Sequence, residues 1–263
     1  MNDRVTITID GHVANVMLDR AGKFNALDLK MFGALGDAAD GVRRNSAVRA
    51  VVLHGDGDNF CAGIDTSMFA DPNVRLDAAL MEPVKPSIAN LFQRAAYAWR
   101  ELPIPVICAL RGITYGGGLQ IALGADLRVA APDTRFSIME TKWGLVPDMA
   151  LSTTLRGIVA ADRVKELAWS ARIFGAEEAL SLGIVTAIES DPLAAATAMA
   201  ADYAAKSPEA IKGIKRLVNE AWQLSEVEAL EMEARLQLSV IGSPNQAEAV
   251  TANLEKRPPK FAD

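Results

Sequence analysis

Three consecutive glycines, Gly116-Gly117-Gly118, stand between an all-apolar run, Val106–Leu110, and a second apolar stretch, Leu119–Gly124. Glycine loses more conformational freedom on folding than any other residue, so three in a row need a physical reason. The flanking patterns read as a buried strand followed by a helix. Two readings account for the glycines. A helix packed close onto a strand leaves no room for side chains. Alternatively, the free N–H groups and positive dipole end of the helix must approach something anionic. The run lacks the Gly-Lys-Ser/Thr of a phosphate loop and the spacing of a GxGxxG fingerprint. Gln120, one turn into the helix, is placed to point at whatever the glycines hold.

Strand and helix signals alternate on either side of this point. Val5–Ile9 alternates with period two, Asp10-Gly11 marks a turn, and Val13–Leu18 resumes as strand, which predicts a β-hairpin. Ala26-Leu27-Asp28 opens a helix through about Val42, with Leu27, Met31, Leu35 and Ala38 at helical spacing. Val48–His54 reads as a strand closed by Gly55-Asp56-Gly57-Asp58. Leu76–Glu101 reads as one long helix that Pro83 and Pro86 must break or delay. Strands Leu127–Ala131 and Arg135–Met139 follow the glycine helix, and such units continue to Ile184–Ile188. After Asp191-Pro192 the strand signals stop. Ser207-Pro208-Glu209, the capping box Ser225–Glu228, and Ser243-Pro244 each start a helix. The pattern divides the chain into an α/β core, residues 1–191, and a helical region, residues 192–263. In the helix from Glu226, Val227, Leu230, Ala234, Leu238 and Ile241 form one apolar stripe, and Met232, Leu236 and Val240 another. Two apolar faces need two partners, supplied either by a second subunit or by the same chain.

Composition narrows the function classes. Lys and Arg total 27 against 33 Asp and Glu, a formal charge of −6, which argues against nucleic acid as the main partner. No apolar run approaches the roughly 20 residues of a membrane span. Met1–Arg4 leads straight into the first strand without a signal-peptide core, and Cys61 and Cys108 read as free thiols in a reducing cytosol. His12 and His54 show no metal-ligand spacing and read as structural or exposed. The expectation is a cytoplasmic, metal-free protein.

Two further segments carry chemistry. The small residues of Phe60-Cys61-Ala62-Gly63-Ile64-Asp65 allow backbone N–H groups to face a ligand at close range. Glu140 follows an apolar strand beside Trp143-Gly144-Leu145-Val146-Pro147-Asp148; desolvation there raises a carboxyl pKa and suits it to proton abstraction. Plain turns account for each segment taken alone. Cys61 has no activating His or Lys in its segment, and Asp126 is placed to satisfy backbone groups at a strand start. Together, two backbone donors and a carboxylate suit enolate chemistry beside a thioester carbonyl.

At these residues the chain resembles the crotonase superfamily, the enoyl-CoA hydratase/isomerase family. Phe60–Asp65 and Gly112–Gly118 are similar to its two signature loops, and the likeness extends to Leu18-Asp19-Arg20, Asn25-Ala26-Leu27, Leu254–Arg257 and Phe261. The resemblance implies a spiral of ββα units followed by a helical C-terminal region that trimerises, often with trimers paired into hexamers. It implies an acyl-CoA substrate, with CoA entering as part of the substrate and no separate cofactor. The oxyanion hole maps to the N–H groups of Ile64 and Gly117. CoA and substrate positions fall on Lys23, Phe24, Asn25, Ala26, Ala62, Asp65 and Gly116, with Lys260 and Phe261 of a neighbouring chain. A hydratase of the family places glutamates at the positions of Gln120 and Glu140, so efficient hydration is not expected here. Glu140 with Asp148 resembles the acid/base pair of Δ3,5-Δ2,4-dienoyl-CoA isomerases, although those carry aspartate at the Gln120 position. The expected roles are Glu140 as base, Asp148 as second acid or electrostatic partner, and Gln120 as a hydrogen-bonding auxiliary. A hydratase and a non-catalytic acyl-CoA-binding scaffold are the alternatives. Residues Ser67–Ile88 are expected to wall the acyl pocket, with Met68, Phe69, Leu80 and Met81 as apolar candidates.

Overall fold

A computed structural model describes residues 3–70 and 78–262. Strands β1 (Val5–Asp10) and β2 (Val13–Leu18) form the antiparallel hairpin, and helix α1 (Leu29–Arg44) leads to β3 (Ala50–Gly55). Then come α2 (Leu91–Glu101), β4 (Val106–Leu110), β5 (Ile113–Tyr115), α3 (Gly117–Gly124), β6 (Leu127–Ala130) and β7 (Arg135–Ser137). The remainder comprises α4 (Leu151–Thr154), α5 (Ala161–Ser170), β8 (Phe174–Gly175), α6 (Ala176–Ser181) and β9 (Ala187–Ile188), then α7 (Pro192–Ala204), α8 (Pro208–Glu220), α9 (Glu226–Val240) and α10 (Pro244–Leu254).

The main sheet runs β1-β2-β3-β4-β6-β9, parallel beyond the hairpin, and β5-β7-β8 form a smaller sheet. The inner strands β3, β4 and β6 are buried on both faces, as their near-continuous apolar runs require, whereas the edge strand β1 is largely exposed. Val51, Leu53, Cys108 and Leu110 pack into the larger core with α1, α2 and α3. Ala50, Val52, Ile107 and Ala109 face the other way, onto Ala196, Ala200 and Ala204 of α7. Alanines at i, i+4 and i+8 let that helix approach the sheet closely. Asp126 behaves as its place in the sequence predicts. It accepts from Val106 N at 2.8 Å and also pairs with Lys215 at 2.7 Å, tying α8 to the core.

The predicted helix Leu76–Glu101 is corrected. Among the described residues of that span, only Leu91–Glu101 is α-helical, started by an Asn90–Gln93 capping box and preceded by a short 3-10 turn at Ala78–Met81. Pro83 and Pro86 fall in the gap, where ring geometry removes donors and blocks helical continuation. The predicted start at Leu76 and part of the expected acyl wall lie outside the described residues. Helix α1 begins at Leu29, not Ala26, because Asp28 caps it by accepting from Met31 N at 2.8 Å. The two faces of α9 divide sharply. Met232 is buried and Leu236 and Val240 half-buried, whereas Val227, Leu230, Ala234, Leu238 and Ile241 lie exposed. Two-sided packing within one chain is therefore not what covers the second stripe. Among the described residues, no helix is long and apolar enough to cross a membrane.

Candidate active site

The segments that carry the sequence signals meet. Leu27 and Ile64 form an isolated parallel bridge: Gly63 O accepts from Leu27 N at 2.8 Å, and Leu27 O from Asp65 N at 2.9 Å. In a trans peptide the C=O and N–H of one unit point in opposite directions. The Gly63–Ile64 peptide thus aims its N–H away from Leu27, outside the bridge. The Gly116–Gly117 peptide is oriented the same way by its own bond, since Gly116 O accepts from Gln120 N at 3.1 Å. Gly117 N–H consequently points out of the α3 N-terminus, where no intrahelical carbonyl meets it. The loops are adjacent: a β-carbon on Gly63 would lie 2.8 Å from Tyr115 O and 3.4 Å from Gly117 N.

Close packing accounts for two of the three glycines and a positive φ for the third. Close packing explains Gly118, whose β-carbon would lie 2.4 Å from Cys61 O, and Gly117, whose β-carbon would lie 2.8 Å from Leu27 Cδ1 and Met149 Sδ. Gly116, at φ +51°, adopts a backbone that side chains disfavour and lies against the Glu140 carboxylate.

Glu140 begins a 3-10 turn, Glu140–Trp143, and is 8% exposed. Gln120, 1% exposed, spans the site. Its Oε1 accepts from Met149 N at 2.9 Å, which fixes the amide orientation, and its Nε2 donates to Glu140 Oε1 at 2.5 Å. Glu140 Oε2 is buried and, among the described residues, has no partner. Burial pushes the Glu140 carboxyl above the ordinary carboxylate range; the Gln120 amide opposes that rise and the nearby charge of Asp148 adds to it. Asp148 retains exposed surface, yet it is crowded enough that desolvation raises its carboxyl too. Trp143 follows Glu140 by three residues. It is 45% exposed and leans on Phe69, ring centroids 6.2 Å apart. Phe69 and Met81 lie exposed, Leu80 half-buried against the core, and Met68 buried.

The expected CoA positions fall into two kinds. Lys23 and Phe24 are exposed beside Ala62, whose N–H donates to Phe24 O at 2.9 Å, while Ala26 is buried. Asn25 is fully buried, and both its amide hydrogens are spent on Asp56 O and Asn59 O, at 3.0 and 2.8 Å. Its side chain holds the loop after β3 and offers no donor to a ligand. Asp65 caps the 3-10 turn Thr66–Phe69, bonding Ser67, and pairs with Arg20 at 2.8 Å. Burial works against its ionisation, but the Ser67 and Arg20 bonds outweigh that and hold its carboxyl low. Sequence reasoning gave Arg20 and Met149 no role. Arg20 stood in the quoted motif Leu18-Asp19-Arg20 as a lone guanidinium entering a small-residue loop, the one signal available; a backbone donor such as Met149 N leaves none. Arg49 Nη2 donates to Phe261 O at 3.0 Å, and Asn245 pairs with Ala262, so the C-terminal tail docks on its own chain.

Of the minor candidates, Cys61 lies inside the Phe60–Asp65 loop and the two histidines lie apart from it. Cys61 Sγ contacts Asn25 O at 3.1 Å and Gly63 N at 3.4 Å, and burial pushes its thiol up to about 12. His12 Nδ1 lies 2.8 Å from Ala47 O. His54 lines a separate cleft with Met17, Arg111 and Leu193, its pKa lowered by burial.

The sequence profile of the enoyl-CoA hydratase/isomerase family matches residues 8–263. The chain belongs to that family. It is 30% identical to a peroxisomal Δ3,5-Δ2,4-dienoyl-CoA isomerase of Arabidopsis thaliana over 96% of this chain and 94% of the relative. It is 28% identical to the mitochondrial methylglutaconyl-CoA hydratase of Mus musculus, over 93% and 77%. An enoyl-CoA hydratase structure from Bacillus anthracis superposes with a TM-score of 0.89 at 25% identity, covering 98% of both chains. The fold is the crotonase fold implied by the signature loops, with its helical C-terminal region in place. An enzyme of the enoyl-CoA hydratase/isomerase family, this protein has relatives named both as hydratases and as dienoyl-CoA isomerases. An acyl-CoA thioester substrate is consistent with that membership.

Proposed function

We propose that this enzyme shifts the double bond of an enoyl- or dienoyl-CoA through an enolate held by the N–H groups of Ile64 and Gly117. The observation that carries the reading is the bond from Gln120 to Glu140, at 2.5 Å. Syn addition of water calls for two acids that share and exchange protons with one water. An amide anchored at both ends can orient a neighbour, but it exchanges no proton at neutral pH. Proton transfer asks for one carboxylate, and Glu140 keeps Oε2 unengaged.

In this reading ionised Glu140 removes a proton from C2 of a 3-enoyl-CoA. The C–H electron pair moves onto the thioester oxygen, where the two amides stabilise it; one such donor is worth about 3–4 kcal/mol. Return of the proton to C4 closes the enolate to the 2-enoyl product. With a 3,5-diene, protonated Asp148, its carboxyl raised by burial, gives a proton to C6 and regains one from solvent, while Glu140 releases the C2 proton to solvent. Lys23, Phe24, Ala26 and Ala62 receive CoA, while Asn25 and Asp65 shape the loop beneath it. A homo-oligomer, a trimer or a dimer of trimers, would cover the exposed stripe of α9.

The test is incubation with 2-enoyl-, 3-enoyl- and 3,5-dienoyl-CoA, with products read by mass and ultraviolet absorbance. Isomerised product is expected. Dominant hydration would give the hydratase reading, and no solvent deuterium at the α carbon would give a binding scaffold.

A further inference from the structure

We infer that Arg20 is the positioning residue of the oxyanion loop: its guanidinium clamps Ala26 to Asp65 across the Leu27–Ile64 bridge and so aims the Ile64 N–H. The inference rests on the reading of that N–H as an oxyanion donor. Arg20 Nη1 donates to Ala26 O at 2.8 Å, and Nη2 meets Asp65 Oδ2 at 2.8 Å. Ala26 precedes Leu27 and Asp65 follows Ile64, so one planar fork brackets the bridge on both sides. The bridge itself has only its two backbone bonds and no ladder neighbours. Its direction therefore depends on what fixes its ends.

The clamp is itself held. Arg20 N donates to Asn25 Oδ1 at 2.9 Å, and Arg20 O accepts from Asn25 N at 3.0 Å. Asp28 Oδ2, already paired with Arg4 at 2.9 Å, stands 3.6 Å from the same Nη2. Side-chain exposures of 17% for Arg20 and 11% for Asp65 leave water little access to the pair. Charge-assisted bonds in such a site are stronger than neutral ones, and a lysine, with a point charge, cannot span both acceptors. Arg20 acts on the reaction only through the Ile64 amide.

The test reads the carbonyl stretch of a short 2-enoyl-CoA, carbon-13 labelled at the thioester, bound to the full chain in difference infrared spectra. Donors in the hole lower that frequency. Wild-type protein is expected to show the lowered band; an unshifted wild-type band overturns the oxyanion reading and this inference with it. Given a shifted wild-type band, Arg20→Gln is expected to return it toward the solution frequency. Its kcat should fall about 10–100-fold, with KM within about threefold of wild type. Arg20→Lys, which keeps the charge beside Asp65, should give an intermediate band and stands in if the glutamine variant does not fold. Asp65→Asn should reproduce the loss, and the double variant should be no worse than either single one, as expected of residues acting as a unit. A wild-type band in a folded Arg20 variant overturns the clamp while leaving the oxyanion reading intact. Additive losses in the double variant overturn it as well.

Discussion

Gln120 holds Glu140 by one oxygen only: its Nε2 donates to Oε1 at 2.5 Å while Oε2 is buried without a partner among the described residues. The far end of the same amide accepts from Met149 N, the residue after Asp148. One neutral side chain thus spans from one acid to the loop that carries the other. Substitutions at this position act on both.

Glu140→Gln is expected to lower isomerisation by about 1,000-fold or more, since general-base catalysis typically contributes 10²–10⁴-fold. The variant should unfold at the same temperature as wild type or higher, because a buried carboxylate costs more than a buried amide. Activity within about tenfold of wild type removes Glu140 as the base.

Gln120→Glu tests whether the missing acid is the limit on hydration. If it is, hydration of a short 2-enoyl-CoA rises by about tenfold or more. The substitution also removes the donor to Oε1 and sets a like charge beside Glu140, so isomerisation is expected to fall. No gain in hydration would trace the block to geometry.

Asp148→Asn should slow conversion of a 3,5-dienoyl-CoA more than that of a 3-enoyl-CoA. The longer proton shift needs an acid at its remote end, and the shorter one does not. Equal slowing of both, measured as kcat/KM, overturns the two-acid scheme.

The rise of the Glu140 pKa through burial has a pH signature. The base must be ionised, so kcat/KM should fall as pH drops through a value above the ordinary carboxylate pKa of about 4.3. Stability responds with the opposite sign. A carboxyl raised in the folded state favours folding while protonated, so its contribution is lost as pH rises from the unfolded value through the folded one. In Glu140→Gln that segment of the denaturation profile should flatten.

Leu230→Glu combined with Leu238→Glu places charge on two exposed positions of α9, 64% and 74% exposed. Sedimentation should report a smaller assembly than wild type, with far-ultraviolet dichroism unchanged. An unaltered sedimentation coefficient places the subunit contact elsewhere.

The sequence exposes those parts of this molecule that local chemistry dictates. The hairpin read correctly from its alternation and turn, the inner strands from their apolar runs, and the caps Ser225 and Ser243 sit where polar oxygens meet orphan amides. Pro83 and Pro86, expected to break or delay the helix over Leu76–Glu101, hold its start back to Leu91, a boundary that apolar spacing alone did not fix. At the site, residue types located Glu140 and the glycines. They did not disclose that Asn25 turns inward, that Gln120 bridges Glu140 to Met149, or that Arg20 reaches across the loop. Each of those depends on contacts between segments distant in the chain, which no local pattern encodes.

Cys61 lies three residues before Ile64, within the loop proposed to polarise a thioester, and its thiol is pushed up to about 12. Burial therefore holds it as the thiol at neutral pH, not as the nucleophilic thiolate. A thiol so held is a poor nucleophile toward a thioester. The same burial should leave the enzyme indifferent to mild alkylating reagents.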